Sequence, residues 1–105
     1  MTSVKTINEK SFEEEVLNEQ GKVLIDFYTE TCPPCQMMSP VLDQVAKDLP
    51  SSIKILKVDA TESQELVEKY KVNSVPTFIL FEGGNVKKSR TGVIPPVQLK
   101  SWMEV

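Results

Sequence analysis

The residues best suited to chemistry are the chain's two cysteines, in the segment Cys32-Pro33-Pro34-Cys35. The segment follows an apolar strand and begins a helical pattern, and two thiols at this spacing can close a small disulfide ring. If Cys35 lies in the first helical turn, Cys32 stands at the helix N-terminus, where free N–H groups and the macrodipole favour a negative charge. A thiol there tends to become a thiolate, the reactive form. The pair therefore predicts electron exchange with other disulfides.

Two other roles are open to these cysteines. A free cysteine is often a small buried hydrophobe, but Cys32 lies between a Thr-Glu-Thr segment and two prolines, a poor core position. Zinc needs about four ligands, and because the chain has two cysteines and no histidine, only a site shared by two chains could hold it. We predict an exposed nucleophile at Cys32, a more sheltered resolving thiol at Cys35, and no metal.

Composition narrows the class of protein. The 105 residues are the usual size of one domain, and we predict a single domain over 1–105. The net charge is −3 and the densest basic cluster is Lys87, Lys88 and Arg90, so no nucleic acid is expected. The apolar runs are too short to span a membrane, and no apolar leader precedes the first strand. A redox pair without an export signal predicts a cytoplasmic protein.

Hydrophobic periodicity predicts the elements that must position these residues. Apolar residues occupy both odd and even positions of 23–28, which indicates a strand covered on both faces. The longest helical spacing runs through Met37, Met38, Val41, Leu42, Val45, Ala46 and Leu49. Because 53–58 is a further strand, the crossover between the two strands makes them parallel.

Shorter elements complete a mixed α/β sandwich. A capping box of Ser11 and Glu14 predicts a helix over 9–19. The other predicted elements are a strand over 4–7, a helix over 62–70, a hairpin of 77–81 and 86–91 around a glycine turn, and a terminal helix with Val97, Leu99, Trp102 and Met103 on its apolar face.

With these elements in this order, the chain closely resembles thioredoxins. The matching segments are 23–28, Cys32-Pro33-Pro34-Cys35, Pro40, Lys57-Val58-Asp59, Val75-Pro76-Thr77, 81–84 and Gly92. A bare C-x-x-C is weak evidence, whereas the same pair with Asp26 before it and Val-Pro-Thr after it is specific. The resemblance implies a thioredoxin fold, an α/β architecture with a central mixed sheet of four to five strands flanked by four helices. It also implies thiol–disulfide oxidoreductase activity.

Two positions depart from the family's usual pattern. Thioredoxins usually carry Gly-Pro between the cysteines and Trp before the first, and here these are Pro33-Pro34 and Thr31. Pro33 removes one more N–H near the sulfurs and stiffens the loop. Thr31 removes a large aromatic side chain from the surface that partners would touch. The departures bear on reduction potential and partner range and leave the reaction class unchanged.

Asp26 is the strongest secondary signal. It shares strand parity with Leu24 and Tyr28, and burial among apolar residues makes its ionisation costly, so we expect a raised pKa. Near Cys35, such a carboxylate can act as a general base for the resolving thiol. The other interpretation is a structural ion pair with Lys57 on the next strand. Both can hold, because Lys57 could also help to set the proton affinity of Asp26.

The resemblance also implies a surface for partners. The Val75-Pro76 bond is expected to be cis, and in the family the backbone of Val75 bonds an extended substrate segment beside the thiols. Pro76 supports that turn, and Gly92, at a close backbone approach, is counted with the substrate-binding residues. We define the predicted apolar docking rim as Tyr28, Thr31, Pro33, Pro34, Val75, Val93 and Ile94.

The implied function is that of a monomeric protein-disulfide reductase. Its redox centre is the Cys32–Cys35 couple, with no bound cofactor, and its substrates are disulfide-containing proteins. A thioredoxin reductase would restore the dithiol with electrons that come from a nicotinamide cofactor. Two alternatives stay open. One is an oxidase or isomerase of the same fold, since loop residues such as Pro33 tune the potential. The other is a non-redox docking module, which would need neither the dithiol nor Asp26.

Overall fold

A computed structural model describes residues 4–105, in which five strands form one mixed sheet of order β1-β3-β2-β4-β5. The strands are β1 (Lys5–Ile7), β2 (Lys22–Tyr28), β3 (Lys54–Asp59), β4 (Thr77–Glu82) and β5 (Asn85–Thr91). β1, β3 and β2 run parallel, whereas β4 is antiparallel to β2 and β5 to β4. The predicted parallel crossover and the predicted hairpin are both confirmed.

Four helices flank the sheet in the described part of the chain. They are α1 (Glu9–Phe12), which continues as a π-helical turn (Glu13–Leu17), α2 (Pro33–Asp48), α3 (Gln64–Lys69) and α4 (Pro96–Met103). The mixed five-stranded sheet with four helices confirms the expected fold class. Within residues 4–105, none of the helices has both the length and the apolar character that crossing a bilayer requires.

Two helical details differ from the predictions. The N-cap of α1 is Asn8, whose side chain accepts the N–H of Ser11 at 3.1 Å, so Ser11 is the third helical residue and not the cap. Asn and Ser cap helices about equally well, and residue type alone does not decide between them. Val97 is 77% exposed. It lies two residues from the buried Leu99, a spacing that puts helical side chains on different sides.

The sheet separates two apolar clusters, because successive strand side chains point to opposite faces. The α1–α3 face holds Ile7, Phe12, Val16, Val23, Ile25, Phe27, Leu56, Val58, Leu66, Ile79 and Phe81. The α2–α4 face holds Leu24, Met38, Leu42, Val45, Ala46, Ile55, Phe78, Leu80, Ile94, Leu99 and Met103. By the same alternation Asp26 and Tyr28 follow Leu24 to the α2–α4 face, and Lys57 follows Ile55. That face therefore carries the ionisable groups close to α2.

Candidate active site

The two cysteines are joined in a disulfide at the start of α2, with their Cα atoms 5.2 Å apart. Cys32 is the N-cap, and Pro33 and Pro34 take the first two helical positions, where proline's fixed φ suits the helix and its missing N–H leaves no bond unmade. The first backbone donor of the helix is therefore the N–H of Cys35. It donates to Sγ of Cys32 over 3.1 Å, so the helix start directs one amide at the sulfur of Cys32.

Cys32 is more covered than the sequence predicted, whereas Cys35 is as sheltered as expected. Cys32 is 8% exposed and Cys35 is 4% exposed, so the prediction of an exposed Cys32 is wrong for this disulfide form. The cover includes the Val75-Pro76 turn, whose peptide bond is cis as predicted. The carbonyl oxygen of Val75 lies 3.8 Å from Sγ of Cys32. The polar residues around Cys32 in the sequence gave no sign of this cover, because it comes from a turn remote in the chain.

The segment after β5 is tied to the same turn. The N–H of Gly92 donates to the carbonyl oxygen of Pro76 over 3.0 Å. The expected close backbone approach at Gly92 is wrong, because a Cβ there would meet no described atom within 4 Å. Glycine is instead favoured by the φ of 91°. Val93, the next residue in the chain, is exposed. Of the other predicted docking residues, Thr31, Pro33 and Pro34 are exposed, and Tyr28, Val75 and Gly92 are half-buried.

Two predicted positions need correction. Ile94 does not belong to the docking rim, because it is fully buried on the α2–α4 face, where its N–H donates to Sδ of Met38 over 3.4 Å. Met37, which the sequence grouped with Met38 in the helical spacing and which we expected in the core for that reason, is 62% exposed. Neighbouring helical residues point about 100° apart, and it is Met38 that shares its side of α2 with the buried Leu42 and Val45. The spacing of Met38, Leu42 and Val45 defines the buried side of α2, and this spacing alone predicts that Met37 lies on the surface.

Asp26 lies in the middle of β2 and is fully buried. Its register partners are Lys57 on β3 and Phe78 on β4. Neither carboxyl oxygen has a hydrogen-bond partner in the described part of the chain, so the hydrogen-bonded ion pair with Lys57 is not formed. Burial raises the pKa of Asp26 to about 7, and the charge of Lys57 partly opposes that rise. The predicted direction of the pKa shift is confirmed.

Lys57 contacts an aromatic ring. Its ammonium nitrogen lies 4.6 Å from the centroid of the Tyr28 ring, and the Tyr28 hydroxyl is 3.4 Å from Oγ1 of Thr6. A cavity of about 230 Å³ is lined by Tyr28, Thr29, Glu30, Cys35, Gln36, Ser39 and Lys57. The cavity thus brings Cys35 and Lys57 to one solvent-accessible space, a grouping that strand and helix patterns did not reveal. Among residues 4–105, no group of three or more His, Cys, Asp or Glu side chains is placed to hold a metal ion.

Comparisons with known proteins agree with this geometry. A family model described as thioredoxin matches residues 3–105. The chain is 40% identical over 97 residues to a thioredoxin of Rickettsia bellii, covering 92% of each chain. It is 38% identical over 101 residues to a thioredoxin of Pseudomonas aeruginosa, covering 96% of this chain and 94% of the relative. The chain therefore belongs to the thioredoxin family, and its disulfide-bonded cysteine pair is that of a thiol–disulfide oxidoreductase acting as a protein-disulfide reductase.

Proposed function

We propose that Cys32-Pro33-Pro34-Cys35 is the active site and that Cys32 is the attacking residue. The observation that carries the proposal is the amide of Cys35, which donates to Sγ of Cys32 at the start of α2. A negative charge on that sulfur is favoured by this donor and by the helix dipole. Cys35 is the more covered of the two residues, which suits a thiol that reacts only within the protein.

The reaction balances as two exchanges. The Cys32 thiolate attacks one sulfur of the substrate disulfide, whose other sulfur leaves with the electron pair of the broken bond and takes up a proton. Cys35 then loses its proton and attacks Sγ of Cys32, so the mixed disulfide breaks and the second substrate sulfur is released and protonated. The substrate gains two electrons and two protons, and the protein is left with the Cys32–Cys35 disulfide.

Asp26 is proposed as the base that receives the proton of Cys35. With a pKa of about 7, this carboxyl is partly ionised near neutral pH and can both accept and release a proton there. Lys57 supports it, because the charge of Lys57 lowers the pKa of Asp26 and so offsets part of the effect of burial. Neither carboxyl oxygen has a hydrogen-bond partner among residues 4–105, so no described donor competes with the proton for them.

Substrate is proposed to bind as an extended segment along the Val75-Pro76 turn. Pro76 supports this turn, and Thr31, Pro33, Pro34, Tyr28, Gly92 and Val93 complete the surface around the disulfide. Main-chain recognition of this kind reads little of the partner's sequence, which suits a reductase with many protein substrates. A thioredoxin reductase restores the dithiol, and the whole chain, 1–105, acts as one domain and as a monomer in the cytoplasm without a bound cofactor.

Separating the two exchanges tests these roles. The rates of mixed-disulfide formation and of substrate release would be measured by rapid mixing of the reduced protein with a disulfide-bonded substrate. Asp26→Asn should slow release about 100-fold near neutral pH, the lower end of what a general base contributes, and leave the attack by Cys32 nearly unchanged. Equal slowing of both steps would contradict the assignment of Asp26 as the base.

A further inference from the structure

Three residues of the α2–α4 face form a connected arrangement beside the disulfide. Asp26 and Tyr28 are two positions apart on β2, and Lys57 is the register partner of Asp26 on β3. Register partners and next-but-one residues point to the same face of a sheet. The backbone therefore presents a carboxyl, an aromatic ring and a lysine stem side by side, next to the cavity that Cys35 lines.

The position of the Lys57 ammonium within this arrangement is specific. It does not hydrogen-bond to Asp26, whose two oxygens lack partners in the described chain. It lies over the Tyr28 ring, 4.6 Å from the ring centroid, where a cation is attracted by the negative face of the ring. The Tyr28 hydroxyl lies near β1, 3.4 Å from Oγ1 of Thr6. The ring face thus holds the Lys57 ammonium on the side of the sheet to which Asp26 also points.

We propose that Tyr28 is a positioning residue, whose ring holds the Lys57 ammonium beside Asp26 and thereby helps to set how readily Asp26 takes up a proton. The proposal rests on the role proposed above for Asp26 in the resolving step. It adds a function to a residue that the sequence placed only on the docking rim.

The direction of the effect follows from the surroundings of Asp26. Its register partners are Lys57 on β3 and the uncharged Phe78 on β4. The titratable groups that share the cavity with Lys57 are Cys35 on α2 and Glu30, in the segment after β2. Without the ring, the ammonium of Lys57 is free to move toward water and toward Glu30. Its attraction for the carboxylate then weakens. Since Lys57 lowers the pKa of Asp26, Asp26 would keep its proton to a higher pH.

The titration of Asp26 in the oxidised full chain tests this directly, because the cysteines do not titrate in the disulfide. Its midpoint would be followed by the carboxyl carbon signal in NMR. We expect Tyr28→Leu to raise the midpoint by about half a pH unit, the scale of one partly screened charge, and Lys57→Met to raise it at least as much. Tyr28→Phe, which keeps the ring, should stay at the wild-type midpoint.

Two controls separate positioning from a general structural effect. In the Lys57→Met background, Tyr28→Leu should raise the midpoint no further. Lys69→Met removes the lysine that lies over the other tyrosine ring, 5.5 Å from the centroid of Tyr70, and should leave the midpoint unchanged despite the same change in net charge. An equal rise caused by Tyr28→Leu with and without Lys57 would overturn the proposal, as would an unchanged midpoint in Tyr28→Leu.

A measurement on the unmodified protein covers the case in which Tyr28→Leu does not fold. Protons on the ε-carbon of Lys57 should resonate upfield of those of Lys5, because a ring face shields them. Equal shifts for the two lysines would show that the Lys57 side chain does not lie over the Tyr28 ring. These NMR readouts do not depend on catalysis, so a failure of Asp26 as the base would leave them intact and would appear only in the rates of substrate release.

Discussion

The two faces of the sheet are formed by the same strands but bury different kinds of side chain. On the α1–α3 face, Phe12, Tyr70 and Phe81 pack their rings against one another, with centroids 5.5–5.7 Å apart, and no charged side chain of the described residues is buried there. On the α2–α4 face the apolar cluster surrounds a fully buried carboxyl, Asp26, and the disulfide lies at its edge. The first face contributes packing, whereas the second buries a carboxyl at a cost in stability, as the role proposed for Asp26 requires.

The strongest test of this contrast removes the reactive sulfur of Cys35 and keeps the packing of the α2–α4 face. Cys35→Ser should abolish turnover and trap a covalent complex with substrate, because the mixed disulfide on Cys32 can no longer be resolved. Mass spectrometry would detect the trapped species, and circular dichroism would show that the fold is kept. Ser39→Ala, on the same helix and the same cavity, is the matched control and should turn over normally. Substrate release by Cys35→Ser at the wild-type rate would contradict the resolving role.

The next test measures what the buried carboxyl costs. The pKa of Asp26 is raised by burial to about 7 in the folded protein, whereas the ordinary pKa of an aspartate is 3.8. The folded state therefore binds this proton more tightly, and the contribution of Asp26 to stability is greatest at low pH and falls as the pH rises through this window. At 1.36 kcal/mol for each tenfold change in proton affinity, the loss is about 4 kcal/mol.

Urea unfolding of the oxidised protein at about pH 4 and pH 8 would measure this loss against Asp26→Asn. The variant lacks the titrating group, so the difference in free energy of unfolding between the two proteins should change by about 4 kcal/mol across the window. A difference that stays constant with pH would mean that burial of Asp26 has no energetic cost.

A matched pair of phenylalanines on β4 compares the two faces directly. Phe81→Leu, on the α1–α3 face, should lower the free energy of unfolding by about 1–2 kcal/mol through lost volume and lost ring contacts, with no change in the Asp26 titration. Phe78→Leu, on the α2–α4 face, should cost about as much and also move the pKa of Asp26 toward its ordinary value, because Phe78 is its register partner. Unfolding curves and the NMR titration give both quantities. A similar pKa change in Phe81→Leu would break the proposed separation of the faces.

The smallest expected effect lies at the helix start. Pro33→Gly restores an N–H beside the sulfur of Cys32 and loosens the reduced loop, and both changes favour the dithiol. We expect the reduction potential to rise by about 30 mV, equivalent to about 1.4 kcal/mol, in equilibration with glutathione. Pro50→Gly, the same replacement just beyond the other end of α2, should leave the potential unchanged. A lower potential in Pro33→Gly would contradict the donor argument, and a strongly oxidising wild-type value would favour the oxidase alternative.

Local pattern determined much of this molecule. The alternation and length of the apolar segments predicted the strands, the long helix and the parallel crossover, because burial on a sheet or helix face imposes a fixed period on the side chains. The cysteine spacing at a helix start indicated the chemistry, and the apolar neighbours of Asp26 in β2 indicated a raised pKa. Each of these inferences needs only residues that are close together in the chain.

Contacts between remote segments decided the rest. The cover over Cys32 comes from the turn at Val75, and Ile94 is buried because it packs in the α2–α4 cluster, where its N–H donates to Sδ of Met38. Lys57 contacts the Tyr28 ring and does not hydrogen-bond to Asp26, and this also depends on the register between β3 and β2. A sequence pattern specifies which face a side chain takes, but the partner that it finds there depends on how distant segments pack.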